Sequence, residues 1–205
     1  MEEKSKISEL RKEVLTAARE AYRLKLMAGT SGNLSAWDAA SGCLVITPSG
    51  YAYDLMEEED LVVMDLDGQV REGFRKPSSE WRMHAAIYRS LPRIGAVVHT
   101  HSPYASAFAV LHREIPEVLI EMTLFLGGSI EVAPYARQGT AEVGESAVPI
   151  LARKNACLLA NHGVVTVGET VQKALLNSIY AEDSARTTQL AMAMGEPVLI
   201  PGDGH

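Results

Sequence analysis

Apolar residues recur at helical spacing near the start of the chain, and a second helical segment lies near its end. Between Ile7 and Leu26 the apolar positions alternate with charged ones every three or four residues, which predicts an amphipathic first helix. The second segment runs from Glu169 to Met194, and Gly195 and Pro197 follow it as helix-ending residues. The pattern therefore predicts a long helix at each end of the fold.

Short apolar runs separated by turn residues predict strands in the middle of the chain. The turn sequence Pro48-Ser49-Gly50 follows the first run, and Asp67-Gly68 forms a hairpin-type turn that returns through Val70. The runs that predict strands are Cys43 to Thr47, Leu61 to Leu66, Ala96 to His99, Ile130 to Ala133, Ala156 to Ala160 and Val164 to Val167.

Three shorter helical segments separate these strands, from Glu80 to Arg89, from Pro103 to Leu111 and from Thr140 to Ala152. Ser78 or Ser79 is a suitable N-cap for the first of them. Several strand pairs are joined too tightly for parallel crossovers. The sequence thus predicts an α/β protein with a mixed, largely antiparallel sheet covered by helices on both faces, in a single domain over residues 1–205.

The composition is that of an ordinary globular enzyme, with 205 residues, 47% of them hydrophobic and 22% charged. A net charge of -7 disfavours a nucleic-acid binder, which would normally present a basic face. No apolar run approaches the roughly 20 residues that cross a bilayer, and the charged N-terminus is unlike a secretory signal. Cys43 and Cys157 lie in apolar stretches, which is typical of buried free thiols. We therefore expect a cytoplasmic protein without nucleic-acid or membrane partners.

Two histidines at the end of one predicted strand suggest a metal site. His99 and His101 are two residues apart, so their side chains project to the same side of a strand and offer two neutral nitrogen ligands. A hydrogen-bonded pair is the alternative for such a motif taken alone. Glu80 and His162 strengthen the metal hypothesis, because three histidines and one carboxylate satisfy a four-coordinate zinc ion.

The remaining histidines are interpreted as structural. His84 falls within a predicted helix, His112 lies in a charged loop, and His205 is terminal. Glu80 has an alternative explanation too, because a carboxylate in a first helical turn is favoured by the helix dipole.

Small and hydroxyl-bearing residues cluster in three turns that could bind an anion. Ser78 and Ser79 stand at a predicted helix start, where backbone N–H groups favour phosphate. The stretches Gly29 to Asn33 and Ser49-Gly50 add small donors and permissive backbone. Each stretch alone is typical of a plain turn, but together with a metal site they indicate phosphate binding beside a Lewis acid.

These motifs resemble those of the class II aldolase/adducin family, in particular its L-fuculose-1-phosphate aldolase branch. The resemblance covers almost the whole chain and rests on six segments: Gly29 to Ser35, Ile46 to Gly50, Lys76 to Glu80, Val98 to Tyr104, Ala133 to Tyr135 and Leu159 to Gly163. It implies a three-layer α/β/α sandwich, assembled as a homotetramer with active sites at subunit interfaces.

The resemblance also implies the roles of individual residues. His99, His101 and His162 would be zinc ligands, with Mn²⁺ or Co²⁺ as alternative ions, and Glu80 would be a detachable fourth ligand that acts as acid and base. The positions that match the substrate phosphate site are Thr30, Gly32, Asn33, Ser49, Gly50, Ser78 and Ser79.

The implied reaction is cleavage of a phosphorylated ketose to dihydroxyacetone phosphate and an aldehyde. Breaking the bond between C3 and C4 leaves an enediolate, which a bound dication stabilises and which Glu80 can protonate. Glu121 stands where the L-fuculose-1-phosphate aldolase branch has a tyrosine, and we expect it to be a second catalytic residue; a solvated or ion-paired glutamate is the alternative. The chain also ends soon after Pro201, so we expect the C-terminal segment that closes the site in that branch to be short or absent.

Two other functions remain open at this point. An acidic residue at position 121 is similar to methylthioribulose-1-phosphate dehydratases or, as aspartate, to ribulose-5-phosphate 4-epimerases. The epimerases carry aspartate where this chain has Glu80, which favours an aldolase or a dehydratase. A non-catalytic interaction module, such as the adducin head domain, is expected to lack metal ligands, and none is missing here.

Overall fold

The computed structural model describes residues 2–201, which form one eight-stranded sheet with helices on both faces. The helices are α1 (Glu2–Arg23), α2 (Trp81–Ser90), α3 (Pro103–Val110), α4 (Glu142–Leu151) and α5 (Val171–Met194). The strands are β1 (Asn33–Asp38), β2 (Cys43–Ile46), β3 (Val62–Met64), β4 (Val70–Glu72), β5 (Ala96–Thr100), β6 (Val132–Ala133), β7 (Ala156–Leu159) and β8 (Gly163–Gly168). His205, interpreted above as structural, lies outside the described residues.

The sheet has the order β4-β3-β2-β1-β5-β8-β7-β6. Neighbouring strands are antiparallel except β6 and β7, which are parallel. In the centre, β5 pairs with β1 on one side, where Asn33 is opposite His99, and with β8 on the other, where His99 is opposite Val165. The prediction of a mixed, largely antiparallel sheet is confirmed.

Alternating side chains of the strands form a hydrophobic layer on each face of the sheet. On one face, Leu34 and Val98 pack in the layer beneath α1 and α5. On the other, Val97 and Val165 pack in the layer beneath α2 and α4. α3 packs with α5 over β7 and β8 on the first face. The three-layer α/β/α arrangement is therefore confirmed.

Two further expectations from the sequence concern the burial of the two cysteines and the length and apolar character of the helices. Cys43 and Cys157 are free and buried, as predicted. Within residues 2–201, no helix has both the length and the apolar character that spanning a membrane requires.

The sequence does not predict β1, a central strand whose first residue lies in the predicted turn over Gly29 to Asn33. Asn33 and Ser35 point to the α2 face and are buried, while Leu34 and Ala36 pack on the α1 face. Because the buried positions on one face are polar, the segment lacks the apolar character by which strands are recognised. The strand exists because both of its edges pair with neighbours.

Several predicted boundaries differ from the observed ones by one or two residues. The helix predicted from Glu80 begins at Trp81, because Glu80 occupies the N-cap position. The strand predicted from Ile130 is reduced to β6, and Ile130 instead forms an isolated bridge with Ile115. Helix ends and short strands are the places where local sequence determines structure least.

Candidate metal centre and the adjoining cavity

Four side chains from three separate segments converge at one end of the sheet. His99 lies on β5 and His101 directly follows that strand, His162 lies in the turn between β7 and β8, and Glu80 immediately precedes α2. Each offers one ligand atom, and these atoms all lie within 4.8 Å of one another. The structure thus brings together the four residues that the sequence predicted as metal ligands.

The histidine nitrogens are arranged so that at least one lone pair points into the cluster. His99 Nδ1 is 3.0 Å from the Val164 carbonyl oxygen and donates to it. In the neutral ring, His99 Nε2 then carries the lone pair, and it lies 3.2 Å from Glu80 Oε2. An imidazole lone pair and a carboxylate oxygen at this distance repel each other unless a cation lies between them.

Two other atoms of the cluster lack hydrogen-bond partners. Glu80 Oε1 and His162 Nε2 are buried and 3.1 Å apart, and neither has a hydrogen-bond partner among the described residues. Glu80 as a whole is only 3% exposed. A buried ionised carboxylate without a full set of partners is costly, and a metal ion removes that cost. Three imidazole nitrogens and one carboxylate are also a donor set that suits a divalent transition metal.

The protonation states favour metal binding at neutral pH. Burial by itself would raise the pKa of Glu80; with positive charge on the facing imidazoles of His99 and His162, the pKa is held well below its usual range. Burial, together with the two neighbouring imidazoles, lowers the pKa of His101 to about 4. Glu80 is therefore ionised and His101 neutral, the forms in which both residues bind metals.

The turn that carries His162 depends on its two neighbours. Asn161 has a φ of 56°, in the left-handed region that asparagine tolerates better than most residues. A Cβ atom on Gly163 would lie 2.4 Å from the Thr100 carbonyl oxygen and 3.3 Å from the rings of His99 and His101. Glycine at this position therefore allows the turn to approach the end of β5 closely enough for the three imidazoles to meet.

A small polar cavity of about 70 Å³ adjoins the four ligands. Glu80 and His101 form part of its wall, so the cavity and the candidate metal centre are continuous. None of the residues that line it is a lysine or an arginine. Its other lining residues are Thr30, Ser31, Gly32, Asn33, Pro48, Ser49, Gly50, Ser78, Ser79 and Gln138. All seven residues that the resemblance assigned to phosphate binding are among them.

Backbone pairing between two loops shapes the cavity. Ser49 N donates to the Lys76 carbonyl oxygen and Ser78 N donates to the Thr47 carbonyl oxygen, each at 3.0 Å. The Ser78 hydroxyl accepts a hydrogen bond from Glu80 N at 3.2 Å, so it supports the start of α2 without being the N-cap residue. The N-terminal end of α2 is thereby fixed at the wall of the cavity.

Two residues have surroundings that the sequence did not predict. The side-chain amide of Asn33 contacts Glu80 Oε2 at 2.9 Å and His84 Nε2 at 2.5 Å, which uses one amide N–H and the amide oxygen at the cavity wall. Gln138 also lines the cavity. A single glutamine in a loop has no sequence signature that could have identified it.

The structure places Glu121 outside both the cluster and the cavity lining of its own chain. It is half-buried and directly precedes a π-helical turn, Met122–Leu126, that packs against α5. Phe125 of this turn stacks on Tyr180 of α5 with ring centroids 4.7 Å apart.

Comparison with known proteins extends these observations. Residues 12–189 match the family model described as the class II aldolase and adducin N-terminal domain. The chain is 39% identical to a 5-methylthioribulose-1-phosphate/5-deoxyribulose-1-phosphate aldolase of Rhodospirillum rubrum, over 95% of this chain and 86% of the relative. It is 37% identical to a 5-deoxy-D-ribulose 1-phosphate aldolase of Bacillus thuringiensis, over 94% and 90% of the two chains. Among solved structures, an L-fuculose 1-phosphate aldolase aligns with a TM-score of 0.90 at 35% identity, over 95% and 92% of the two chains.

Proposed function

The chain belongs to the class II aldolase and adducin family, and from this premise we propose that it is a metal-dependent aldolase that cleaves a phosphorylated ketose. One observation carries the proposal: three imidazoles and a buried carboxylate converge at the wall of a cavity lined by hydroxyl-bearing and small residues. A non-catalytic module would not need to keep all four ligand residues together.

The candidate ligands Glu80, His99, His101 and His162 would hold one divalent ion. Their donor set favours Zn²⁺, with Mn²⁺ and Co²⁺ as alternatives. When bound, such an ion supplies Lewis-acid stabilisation of the negative charge that develops on the ketose oxygens.

The polar cavity is the proposed binding site of the substrate phosphate. Without lysine or arginine in its wall, binding would come from hydroxyls, backbone N–H groups and the N-terminal end of α2, all of which favour anions. The proposed phosphate-binding residues are Thr30, Gly32, Asn33, Ser49, Gly50, Ser78 and Ser79.

Glu80 is the proposed acid and base. Cleavage of the C3–C4 bond leaves the electron pair on C3, and dihydroxyacetone phosphate forms when C3 takes up a proton. The C4 hydroxyl loses its proton as the aldehyde carbonyl forms, and we assign Glu80 to take up this proton and deliver it to C3; in the reverse direction its carboxylate removes the proton from C3. Asn33 donates to Oε2 and leaves Oε1 without a hydrogen-bond partner among the described residues, so Oε1 is the oxygen we assign to proton exchange.

The names of the two relatives guide the choice of substrate. Both are aldolases of 5-deoxyribulose 1-phosphate, and the related structure is an L-fuculose 1-phosphate aldolase. A 5-deoxypentulose 1-phosphate is accordingly the first substrate to test. Cleavage between its C3 and C4 would give dihydroxyacetone phosphate and a two-carbon aldehyde.

Glu121 is the proposed second catalytic residue, and its position suggests that a neighbouring copy of the chain supplies it. It is flanked by Ile120 and Leu124, which are 55% and 69% exposed and suit a protein interface. A homotetramer with active sites at subunit interfaces would account for this placement. Light scattering on the purified protein tests the assembly, and a monomer that retains full activity would exclude it.

A coupled assay for dihydroxyacetone phosphate tests the function. We expect the metal-loaded protein to release it from 5-deoxyribulose 1-phosphate or L-fuculose 1-phosphate, and we expect the chelated protein to do so only after metal is restored. No release from either compound, or from ribulose 1-phosphate, would exclude the aldolase. Analysis of the same mixtures for dehydrated or epimerised product distinguishes the two alternative reactions.

A further inference from the structure

A buried chain of hydrogen bonds leads from the Glu80 carboxylate into the layer between the sheet and α2. Asn33 Nδ2 donates to Glu80 Oε2 at 2.9 Å, and Asn33 Oδ1 lies 2.5 Å from His84 Nε2. The other ring nitrogen, His84 Nδ1, is 2.6 Å from Ser35 Oγ, which is 2.7 Å from the Tyr88 hydroxyl. We call Asn33, Ser35, His84 and Tyr88 the α2-side cluster. None of these side chains is more than 3% exposed, so each hydrogen bond constrains the next.

The carboxylate determines the direction of the hydrogen bonds. An ionised carboxylate only accepts, so the Asn33 amide must turn its nitrogen toward Glu80 and its oxygen toward His84. His84 must then donate from Nε2. Burial lowers the pKa of His84 to about 3, which keeps the ring neutral. Its Nδ1 therefore accepts a hydrogen bond from the Ser35 hydroxyl. From Ser35 to Glu80, each group thus donates its hydrogen bond toward the carboxylate.

We propose that His84 is a positioning residue for Glu80, a role that rests on the function proposed above. Its Nε2–H holds the Asn33 amide in the orientation that donates to Oε2, which leaves Oε1, 3.1 Å from His162 Nε2, available to metal and substrate. Without this donor the amide can rotate and turn its own oxygen toward Oε2. Two acceptors would then face each other, and the carboxylate would have to move.

Two amide substitutions test the hydrogen bonds of the two ring nitrogens of His84 separately. In His84→Gln the terminal amide reaches the Nε2 position and keeps the donor for Asn33. In His84→Asn the shorter amide reaches only the Nδ1 position and keeps the partner of Ser35. We expect His84→Asn to weaken Zn²⁺ binding by about 10–100-fold, the usual effect of losing an outer partner of a ligand, while His84→Gln stays within about threefold.

Metal affinity is measured on the chelated protein by competition with a chromophoric chelator, so the result does not depend on turnover. In the aldolase assay, kcat should follow the same order while the KM for the ketose phosphate changes little. Equal losses in the two variants, or no loss in either, would overturn the proposal.

A matched pair of serines controls for the loss of a buried hydrogen bond. Ser35 and Ser178 are each 1% exposed, and Ser178 is bonded to Thr166 on the opposite face of the sheet. Ser35→Ala should weaken Zn²⁺ binding, because Nδ1 of His84 loses the donor that keeps the ring proton on Nε2. Ser178→Ala should leave the affinity unchanged, although each variant removes one buried hydroxyl. If both variants have the same Zn²⁺ affinity, the α2-side cluster has no special connection to the metal centre.

The tautomer of His84 supplies a test that needs no variant. In zinc-loaded protein with ¹⁵N-labelled histidine, we expect the His84 ring to carry its proton on Nε2 and none on Nδ1. A proton on Nδ1 would overturn the proposal. Failure of the wild-type protein to bind metal or release dihydroxyacetone phosphate would overturn the proposed function, while the tautomer of His84 would still be measurable.

Discussion

Two groups of buried polar side chains lie on opposite faces of the same sheet. They differ in whether their hydrogen bonds lead to an atom that has no hydrogen-bond partner. The α2-side cluster ends at Glu80, where Oε1 has no hydrogen-bond partner among the described residues. Beyond that oxygen stands His162 Nε2, which lacks one as well. The hydrogen bonds of this cluster therefore lead to an incomplete site.

On the other face, Thr166, Asn177 and Ser178 form a cluster that we call the α5-side cluster. Thr166 Oγ1 bonds with Ser178 Oγ and donates to the Ala174 carbonyl oxygen at 2.9 Å. Asn177 Nδ2 donates to the Val167 carbonyl oxygen at 2.8 Å. Each of these side chains has a partner, and the bonds join α5 to β8.

This difference in hydrogen bonding indicates a structural role for the α5-side cluster and a functional role for the α2-side cluster. A completed hydrogen bond contributes only about 0.5–1.5 kcal/mol net, whereas a buried polar group left unpaired costs about 1–3 kcal/mol and a charged one more. The remaining unpaired buried groups among the described residues, the hydroxyls of Ser106 and Ser184, are neutral. A buried ionised carboxylate whose second oxygen has no hydrogen-bond partner is costly unless a ligand binds that oxygen. The hydrogen bonds of the α2-side cluster lead to such a carboxylate.

Glu80→Gln should give the largest effect, because it removes both the ligand charge and the proton carrier. We expect kcat to fall by about 10²–10⁴-fold, the range for a lost general acid or base, and metal affinity to fall as well. Glu169→Gln is the matched control, since Glu169 is exposed and forms an ion pair with Lys173. Equal activity of the two variants would show that the open carboxylate is not part of the active site.

Gly163→Ala tests the close approach of the His162 turn to β5. The added Cβ would meet the Thr100 carbonyl oxygen, so the turn must shift, and overpacking of this kind costs about 1–3 kcal/mol of unfolding free energy. Because the shift moves an imidazole, metal affinity should fall too. Urea unfolding and metal competition measure both effects. A stable variant with wild-type affinity would mean that the turn tolerates displacement.

The pKa of His84 makes stability depend on pH. Burial lowers this pKa from 6.5 to about 3, so between these values the unfolded chain takes up a proton that the folded protein does not. Stability is therefore retained above pH 6.5 and falls as the pH decreases below it, by about 1–2 kcal/mol from pH 6.5 to 5.0 for this residue. In His84→Gln the urea-unfolding free energy should decrease less over the same interval. Parallel decreases would contradict a neutral, buried His84.

Thr166→Val should give the smallest effect on function. It keeps the side-chain shape but removes the hydroxyl that joins β8 to α5, and we expect a loss of about 1 kcal/mol in unfolding free energy. Its kcat and metal affinity should equal those of the wild-type protein. A change in either would mean that the α5-side cluster also acts on the metal centre.

The same contrast explains what the sequence could predict. Apolar periodicity predicted α1, the helix-ending residues Gly195 and Pro197 bounded α5, and short apolar runs predicted the strands with hydrophobic inner faces. The spacing of His99 and His101 indicated half of the ligand set. β1 was missed because Asn33 and Ser35, buried toward α2, look like loop residues in the sequence. Asn33 and Ser35, the polar residues that hydrogen-bond near the site, are also the residues that keep β1 from being recognised as a strand in the sequence.

Other parts of the site depend on spatial distances between residues that are far apart in the sequence, and sequence spacing does not predict those distances. The connection of His84 to Glu80 runs through Asn33, 47 residues before Glu80, and it becomes visible only when β1 lies beneath α2. Gln138 stands in a loop and Glu121 at the start of the π-helical turn, and the positions of both follow from tertiary packing. Family resemblance assigned a role to Glu121, but the fold of one chain does not bring it to the cavity.

Anomalous diffraction from crystals of the metal-loaded protein would show directly whether Glu80, His99, His101 and His162 bind one metal ion. We expect one metal peak per chain, about 2.0–2.2 Å from Nε2 of His99, His101 and His162 and from a Glu80 carboxylate oxygen. A peak bound by other residues, or a Glu80–histidine cluster that remains without metal at saturating Zn²⁺, would contradict this expectation.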